Sequence, residues 1–470
     1  MSNFLVRALL DPVADDRDRV ARKFQFPRDN RSYLVPLGIG AVMLLVALVF
    51  GLAGDGLQQQ RFMYSYLIGW TWCLSITIGG LFFVMINHVV KARWMIVLRR
   101  IAESIAMSFP MLFVAGLPII LSPFISYDLY HWADPTLYDP ADSHFDTIIA
   151  GKAGYFYGPM DPASHAPVFF ALRYVVYFGV FILLSRKLYS LSIQNDTQPS
   201  AENTKKLVFH SAWGIPIAAV FTAFAGFDYL MTLDPHWFST IFGVYFFAGG
   251  WLSFLALLAF LAMAYNKSGI LSHEITKEHV QDVGKLMFGF TVFWTYIGFS
   301  QYFLIWYANI PEEVVWYQKR MMNGWEYFSI ALIAAHFIIP FFVLLPRFTK
   351  RFWPILATMC VWILVMHWFD HMWLALPTQY LSGGDAYAAV EAGSELIAGL
   401  GAVAAEGGGD GHGGGIGSHN PAASLVLTDV AAWLGLAGLW LGAILWRNSR
   451  HAVTPYNDPY FHDSLKFENV

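Results

Sequence analysis

His367, Asp370 and His371 set two imidazoles and a carboxylate within five positions of one apolar stretch. The two histidines are four residues apart and would share a helix face. His and carboxylate groups exchange protons near neutrality when their surroundings shift them, so the set suits proton transfer. Asp228 lies toward the end of an earlier apolar stretch and His336 in the middle of another, and both extend the candidate route. Glu103 and His210 are further candidates toward the opposite side. A charge at the centre of a membrane helix costs roughly 2.5–3.5 kcal/mol on insertion scales, so each such group requires a partner or a task. Arg173 is the candidate for the structural alternative, an ion pair with Asp228 or Asp370 that lowers the burial penalty without chemistry.

Other chemistry fits less well. Histidines at this spacing suit zinc, but there is no His-Glu-x-x-His, and on a regular helix Asp370 points about 100° away from His371; no metal is expected. His336 and His367 could face each other as haem ligands, yet two stacked haems need a second deep pair, and none is present. Cys73 and Cys360 each stand alone in apolar sequence, with no Cys-x-x-Cys-His or cysteine cluster. Among the inner-side groups His88, Glu103, His210 and Lys285, snorkelling to the interface is the simpler account for Lys285 and Glu103. Trp294, Tyr296, Tyr302, Trp362, Trp368 and Trp373 suit interfacial anchoring. Trp306 and Tyr307 are the candidates for the edge of a quinone pocket.

The elements that hold these residues must be membrane helices. Of the 470 residues 57% are hydrophobic and 13% charged, against about 25% charged in a soluble domain. Apolar runs of about 20 residues recur along the chain, each long enough to cross the hydrocarbon core. They are too long and too uniformly apolar for barrel strands. The fold class is therefore all-α, a polytopic membrane protein with ten transmembrane helices, expected at 33–54, 64–89, 101–122, 166–189, 208–231, 238–265, 284–308, 324–346, 351–376 and 427–446. With the amino end inside, 24 of the 29 Lys and Arg fall on inner segments and four on outer ones, Arg173 being within a span. That is a strong positive-inside bias, and it puts both termini, 1–32 and 447–470, in the cytoplasm. The first residues resemble neither a cleaved signal nor a myristoylation site.

Two outer segments are long. Residues 123–165, rich in Pro, Asp, His and Tyr, read as an ordered cover or a docking surface. The Gly-rich 377–426 reads as a flexible loop, whose His412 and His419 are not expected to ligate a metal.

The spans also repeat. Phe227-Asp228 and Phe369-Asp370 sit at matching helix ends, Ala171-Leu172 corresponds to Ala331-Leu332, and Gly79-Gly80 to Gly249-Gly250. Residues 64–231 and 238–376 are therefore expected to be two tandem four-helix bundles, with 33–54 and 427–446 as flanking helices. An offset of four helices makes them parallel repeats, and the paired glycines would allow close helix contact.

Two segments are more specific than hydropathy: AGFDYLMTLDPHWFST from Ala225 to Thr240 and GFSQYFLIWYANIPEE from Gly298 to Glu313. They resemble the smaller polysulfide-reductase-like membrane subunit, often called quinone-binding subunit 2, of bacterial alternative complex III, a quinol:cytochrome c oxidoreductase. The resemblance extends over essentially the whole chain. It implies a non-autonomous subunit of the inner membrane, in a complex that oxidises quinol and reduces a cytochrome c or a terminal oxidase. It further implies partners: multihaem and monohaem c-type cytochromes, an iron–sulfur protein, a larger homologous quinol-binding membrane subunit and other small membrane subunits. The haems and clusters would belong to those partners, leaving this chain to carry protons or a second quinone, surrounded by lipid and without nucleic acid. The rival expectations are a structural scaffold in the same complex and a free-standing secondary transporter.

Overall fold

The computed structural model describes residues 24–27, 30–54, 56–322, 324–379 and 425–468. Most of the amino-terminal arm and of the Gly-rich segment, including His412 and His419, lies outside the described residues. All regular structure among the described residues is helical. The long elements are α1 (Leu34–Leu52), α2 (Gly56–Val90), α3 (Ile96–Phe124), α4 (Val168–Thr197), α5 (Ala201–Tyr229), α6 (Phe242–Lys267), α7 (Lys277–Ala308), α8 (Trp325–Leu344), α9 (Trp353–Ala375) and α10 (Leu427–Asn448). Nine of these segments are long and apolar enough to cross a membrane, and the chain is a polytopic helical membrane protein. The tenth expected span, α7, forms a 32-residue helix but falls outside that apolar set.

Local sequence explains where helices start, break and stop. In α3 the helix is interrupted around Met107-Ser108 and again at Gly116, with Pro110 and Pro118 in the first turns of the segments that follow. A proline lacks the N–H an interior turn needs, whereas the first turn of a helix does not use it. Thr276 caps α7 by accepting the Glu278 backbone N–H. At the far end Asn309 turns left-handed, with φ 49°.

Buried α2 and α6 form the centre. α2 packs against α3, α5, α6, α9 and α10, while α6 packs against α2, α5, α7 and α9. The two cross where a Cβ on Gly250 would lie 2.6 Å from the Ser75 carbonyl oxygen, so only glycine permits this backbone approach. Gly79 opposes Phe254 at the same crossing. α1 and α10 form a peripheral pair, their backbones meeting at Gly40 and Gly438.

The segment 123–165 is folded. Trp132 is buried and stacks on Phe156 at 4.4 Å, and Tyr138 donates to the Trp132 carbonyl. Arg61, Lys152, Lys319 and Arg320 are each engaged. Arg61 pairs with Asp429 at 2.6 Å and Lys319 with Asp234 at 2.7 Å. Lys152 donates to the Pro235 carbonyl. Arg320 donates to the carbonyls of Trp373 and Leu374, capping the end of α9.

Candidate functional site

The two Phe-Asp carboxylates end up in different surroundings. Asp228, on α5, accepts two hydrogen bonds from the Arg173 guanidinium of α4, at 2.8 and 2.9 Å. The hydroxyls of Tyr155 and Tyr177 donate to it as well, at 2.7 and 2.9 Å. Four donors and a fixed positive charge saturate this carboxylate, the arrangement of a structural ion pair. Arg173 also lies over the Tyr155 ring at 4.4 Å.

Asp370, on α9, is 1% exposed and has no Lys or Arg beside it among the described residues. Its oxygens accept from the Tyr245 hydroxyl of α6 at 2.5 Å and the Trp294 indole N–H of α7 at 3.3 Å. His367 Nδ1 stands 3.9 Å from Asp370 Oδ2. Arg173 follows Ala171-Leu172, whereas Ile333 follows Ala331-Leu332.

Three histidines complete this second cluster. His367 Nε2 meets the Ser75 hydroxyl of α2 at 2.9 Å. His371 Nδ1 lies 2.9 Å from the His367 carbonyl, which can only accept, so that nitrogen carries the hydrogen. Its Nε2 and His367 Nδ1 have no hydrogen-bond partner. The His367 and His371 rings are 4.4 Å apart, and His336 lies 6.4 Å from His367. His336 is wholly buried against Trp294, with neither nitrogen hydrogen-bonded. It lies in a π-helical stretch of α8, Ile333–Ile338. Single π-turns inside α-helices are frequent at functional sites.

Beside the cluster is a cavity of about 350 Å³, lined mainly by aromatic and aliphatic side chains from α6, α7, α8, α9 and the segment 316–321. Tyr245 and Trp294, the two donors to Asp370, form part of its wall. Gln301 and Tyr317 supply polar groups; the Gln301 amide donates to Tyr317 at 3.2 Å, and its carbonyl oxygen is buried without a hydrogen-bond partner. Trp306 and Tyr307 do not line it. They are 60% and 78% exposed on the outside of α7, because the face of α7 that carries Trp294 and Gln301 is the one turned inward.

The inner candidates stand apart from this cluster. Glu103 is 2% exposed and sits between Arg99 at 3.3 Å and Arg100 at 2.9 Å, so it is held in a buried ion network rather than snorkelling. Asp458 and Asp196 join that network from the carboxyl-terminal tail and α4. Lys285 pairs with Asp282 at 2.7 Å. His210 is half-buried beside Phe209 and Trp213, and His88 is buried on α2. Of the candidate route, the structure gathers His336, His367, Asp370 and His371, and separates Asp228, Glu103 and His210 from them.

Ligand atoms of His367, Asp370 and His371 lie within 4.8 Å of one another. His367 Nδ1 and Asp370 Oδ2, at 3.9 Å, are farther apart than the roughly 3.3 Å that bonds of about 2.0–2.1 Å to a tetrahedral zinc require, and the carboxylate already takes two donors. Ser75 and Tyr245 belong to the site although their types, common in apolar helices, do not stand out in the sequence, and Trp294 reads there only as an anchor. Only the resemblance of Gly249-Gly250 to Gly79-Gly80 marks that part of α6. No protein-family model matches the chain, and no curated protein matches it.

Proposed function

We propose that the chain is the membrane subunit of a bacterial quinol-oxidising respiratory complex and that it handles protons at His336, His367, Asp370 and His371. The observation that carries the proton reading is the contrast between the two carboxylates: Asp228 is neutralised by Arg173, while Asp370 is equally buried with no Lys or Arg beside it among the described residues. A buried carboxylate without a cation is most cheaply held in its neutral, protonated form, so it can take up and release a proton as its surroundings change. Two neighbouring imidazole nitrogens without hydrogen-bond partners, on His367 and His371, are available to receive that proton.

The aromatic cavity supports the respiratory reading. A flat apolar ring fits its walls, Gln301 and Tyr317 can orient a ring oxygen, and Tyr245 lies between the cavity and Asp370. The quinone contacts therefore fall on these residues rather than on Trp306 and Tyr307. In this reading α2–α5 and α6–α9 are two tandem four-helix bundles, α1 and α10 flank them, and the termini are cytoplasmic. The cytochrome c and iron–sulfur redox groups belong to partner subunits. Moving a proton across the potential costs about 2.3 kcal/mol per 100 mV, which quinol oxidation supplies.

Asp228 favours a second role alongside the first, that of a scaffold. Its saturated pairing ties α4, α5 and the outer cover together. Purification of the tagged chain from native membranes tests the assignment. Copurifying covalent haem c and quinol oxidation are expected; isolation as a lone chain that transports a solute contradicts it.

A further inference from the structure

The Ser75 hydroxyl has one hydrogen and two groups within reach of it: the Trp72 carbonyl at 3.0 Å and His367 Nε2 at 2.9 Å. The two choices have opposite consequences for His367. With the hydroxyl hydrogen on Trp72, Ser75 can only accept, so His367 carries its hydrogen on Nε2 and turns a bare Nδ1 toward Asp370. With the hydrogen on His367 Nε2, the imidazole must carry its own on Nδ1, pointing toward Asp370 Oδ2. Helical serines favour the bond to a carbonyl one turn back, as Ser75 makes here, and Nδ1 has no partner within hydrogen-bond reach. The contact exists because Gly250 lets the α2 backbone at Ser75 approach α6 closely. Gly249 does the same for the far side of the ring, since a Cβ there would lie 3.1 Å from His367 Nδ1 and 3.5 Å from Asp370 Oδ2.

We propose that Ser75 is a positioning residue that holds His367 as the Nε2–H tautomer, with Nδ1 open to receive a proton from Asp370. The inference rests on the proton reading of the cluster for its consequence, but not for its geometry. The titratable groups facing His367 are Asp370 and His371 on its own helix and His336 on α8, with Tyr245 of α6 behind Asp370. When the pair closes from 3.9 Å to hydrogen-bond distance, the Asp370 carboxyl gives its proton to Nδ1 and becomes a carboxylate, and the imidazole becomes an imidazolium that keeps its Nε2–H on Ser75 Oγ; the reverse step restores both. The site is thus built from both halves of the chain, a serine on α2 serving a histidine on α9.

Solid-state NMR of the full chain in lipid bilayers, with ¹⁵N-labelled histidine and the His367 signal assigned by its loss in His367→Gln, reads the tautomer directly. In the unaltered protein His367 is expected as Nε2–H with a bare Nδ1. In Ser75→Ala, Nε2 loses its partner and the Nδ1–H form, facing Asp370, is expected to rise by about tenfold. An Nδ1–H tautomer in the unaltered protein overturns the proposal without reliance on any variant, and so does an unchanged tautomer in a folded Ser75→Ala protein. If the tautomer follows Ser75 but the proton yield of the assembled complex does not change, the positioning role stands and the proton function falls.

Discussion

Asp228 and Asp370 each follow a phenylalanine near the end of a long helix, but one faces a guanidinium and the other faces a tyrosine, an indole and a histidine. Removing one partner from a buried ion pair typically costs about 3–5 kcal/mol. Arg173→Leu is therefore expected to lower thermal stability in detergent by an amount of that order, and Asp228→Asn in the same background to recover part of it. Asp370→Asn keeps an acceptor for Tyr245 and introduces no buried charge, so its cost is expected within about 1–2 kcal/mol. A melting comparison of the two single variants checks this ordering. Asp228, Asp370 and the three histidines were legible in the sequence because polar groups in an apolar helix are conspicuous. Which carboxylate was free was not legible, since Arg173 suits either one until α4 is placed beside α5. Ser75 and Tyr245 carried no signal at all, because their role arises only when α2 and α6 meet α9.

At the scale of elements, the π-helical stretch in α8 coincides with a one-residue offset between the segments proposed to repeat. Ala171-Leu172 and Ala331-Leu332 are 160 positions apart, but Leu183-Leu184 and Leu344-Leu345 are 161 apart. The extra residue falls where Ile333–Ile338 widens the helix, and His336 lies within it. Deleting Ala334 should restore a regular helix and turn His336 by about 100° relative to one side of the break. The expected result is a folded protein whose His336 no longer stacks on Trp294, read as altered Trp fluorescence and histidine NMR shifts. Gly250→Ala should separate α2 from α6 and cost about 1–3 kcal/mol, measurable as a lower melting temperature. Between α5 and α6 burial opposes ionisation of Asp234, but the Lys319 ammonium outweighs it and holds the carboxyl below its ordinary range. A depressed folded value means that this contribution is complete above the unfolded value, near pH 4, and is lost as pH falls through the folded one. Hydrogen exchange around residues 234–237 and 316–321 should rise in acid, and Lys319→Met should abolish that step. The long outer segment announced itself through its aromatics, yet its packed core around Trp132 depends on contacts between residues distant in sequence.

For the whole molecule, hydropathy and the distribution of Lys and Arg made a polytopic helical membrane protein evident before any coordinates. The order of the helices around α2 and α6 was not evident, because lipid and protein neighbours are equally apolar and periodicity scarcely tells them apart. The glycine pairs were the partial exception, marking the crossing that brings Ser75 to His367. Of the two Phe-Asp carboxylates, Asp228 is fixed by Arg173 and Asp370 has no Lys or Arg beside it among the described residues. Under the proposed function the first holds the scaffold and the second works. The proton-to-electron ratio of the intact complex in sealed vesicles, with Asp370→Asn in this chain, tests that division most directly. The account predicts an assembled complex that still oxidises quinol but releases fewer protons per electron; an unchanged ratio in the assembled variant would contradict it.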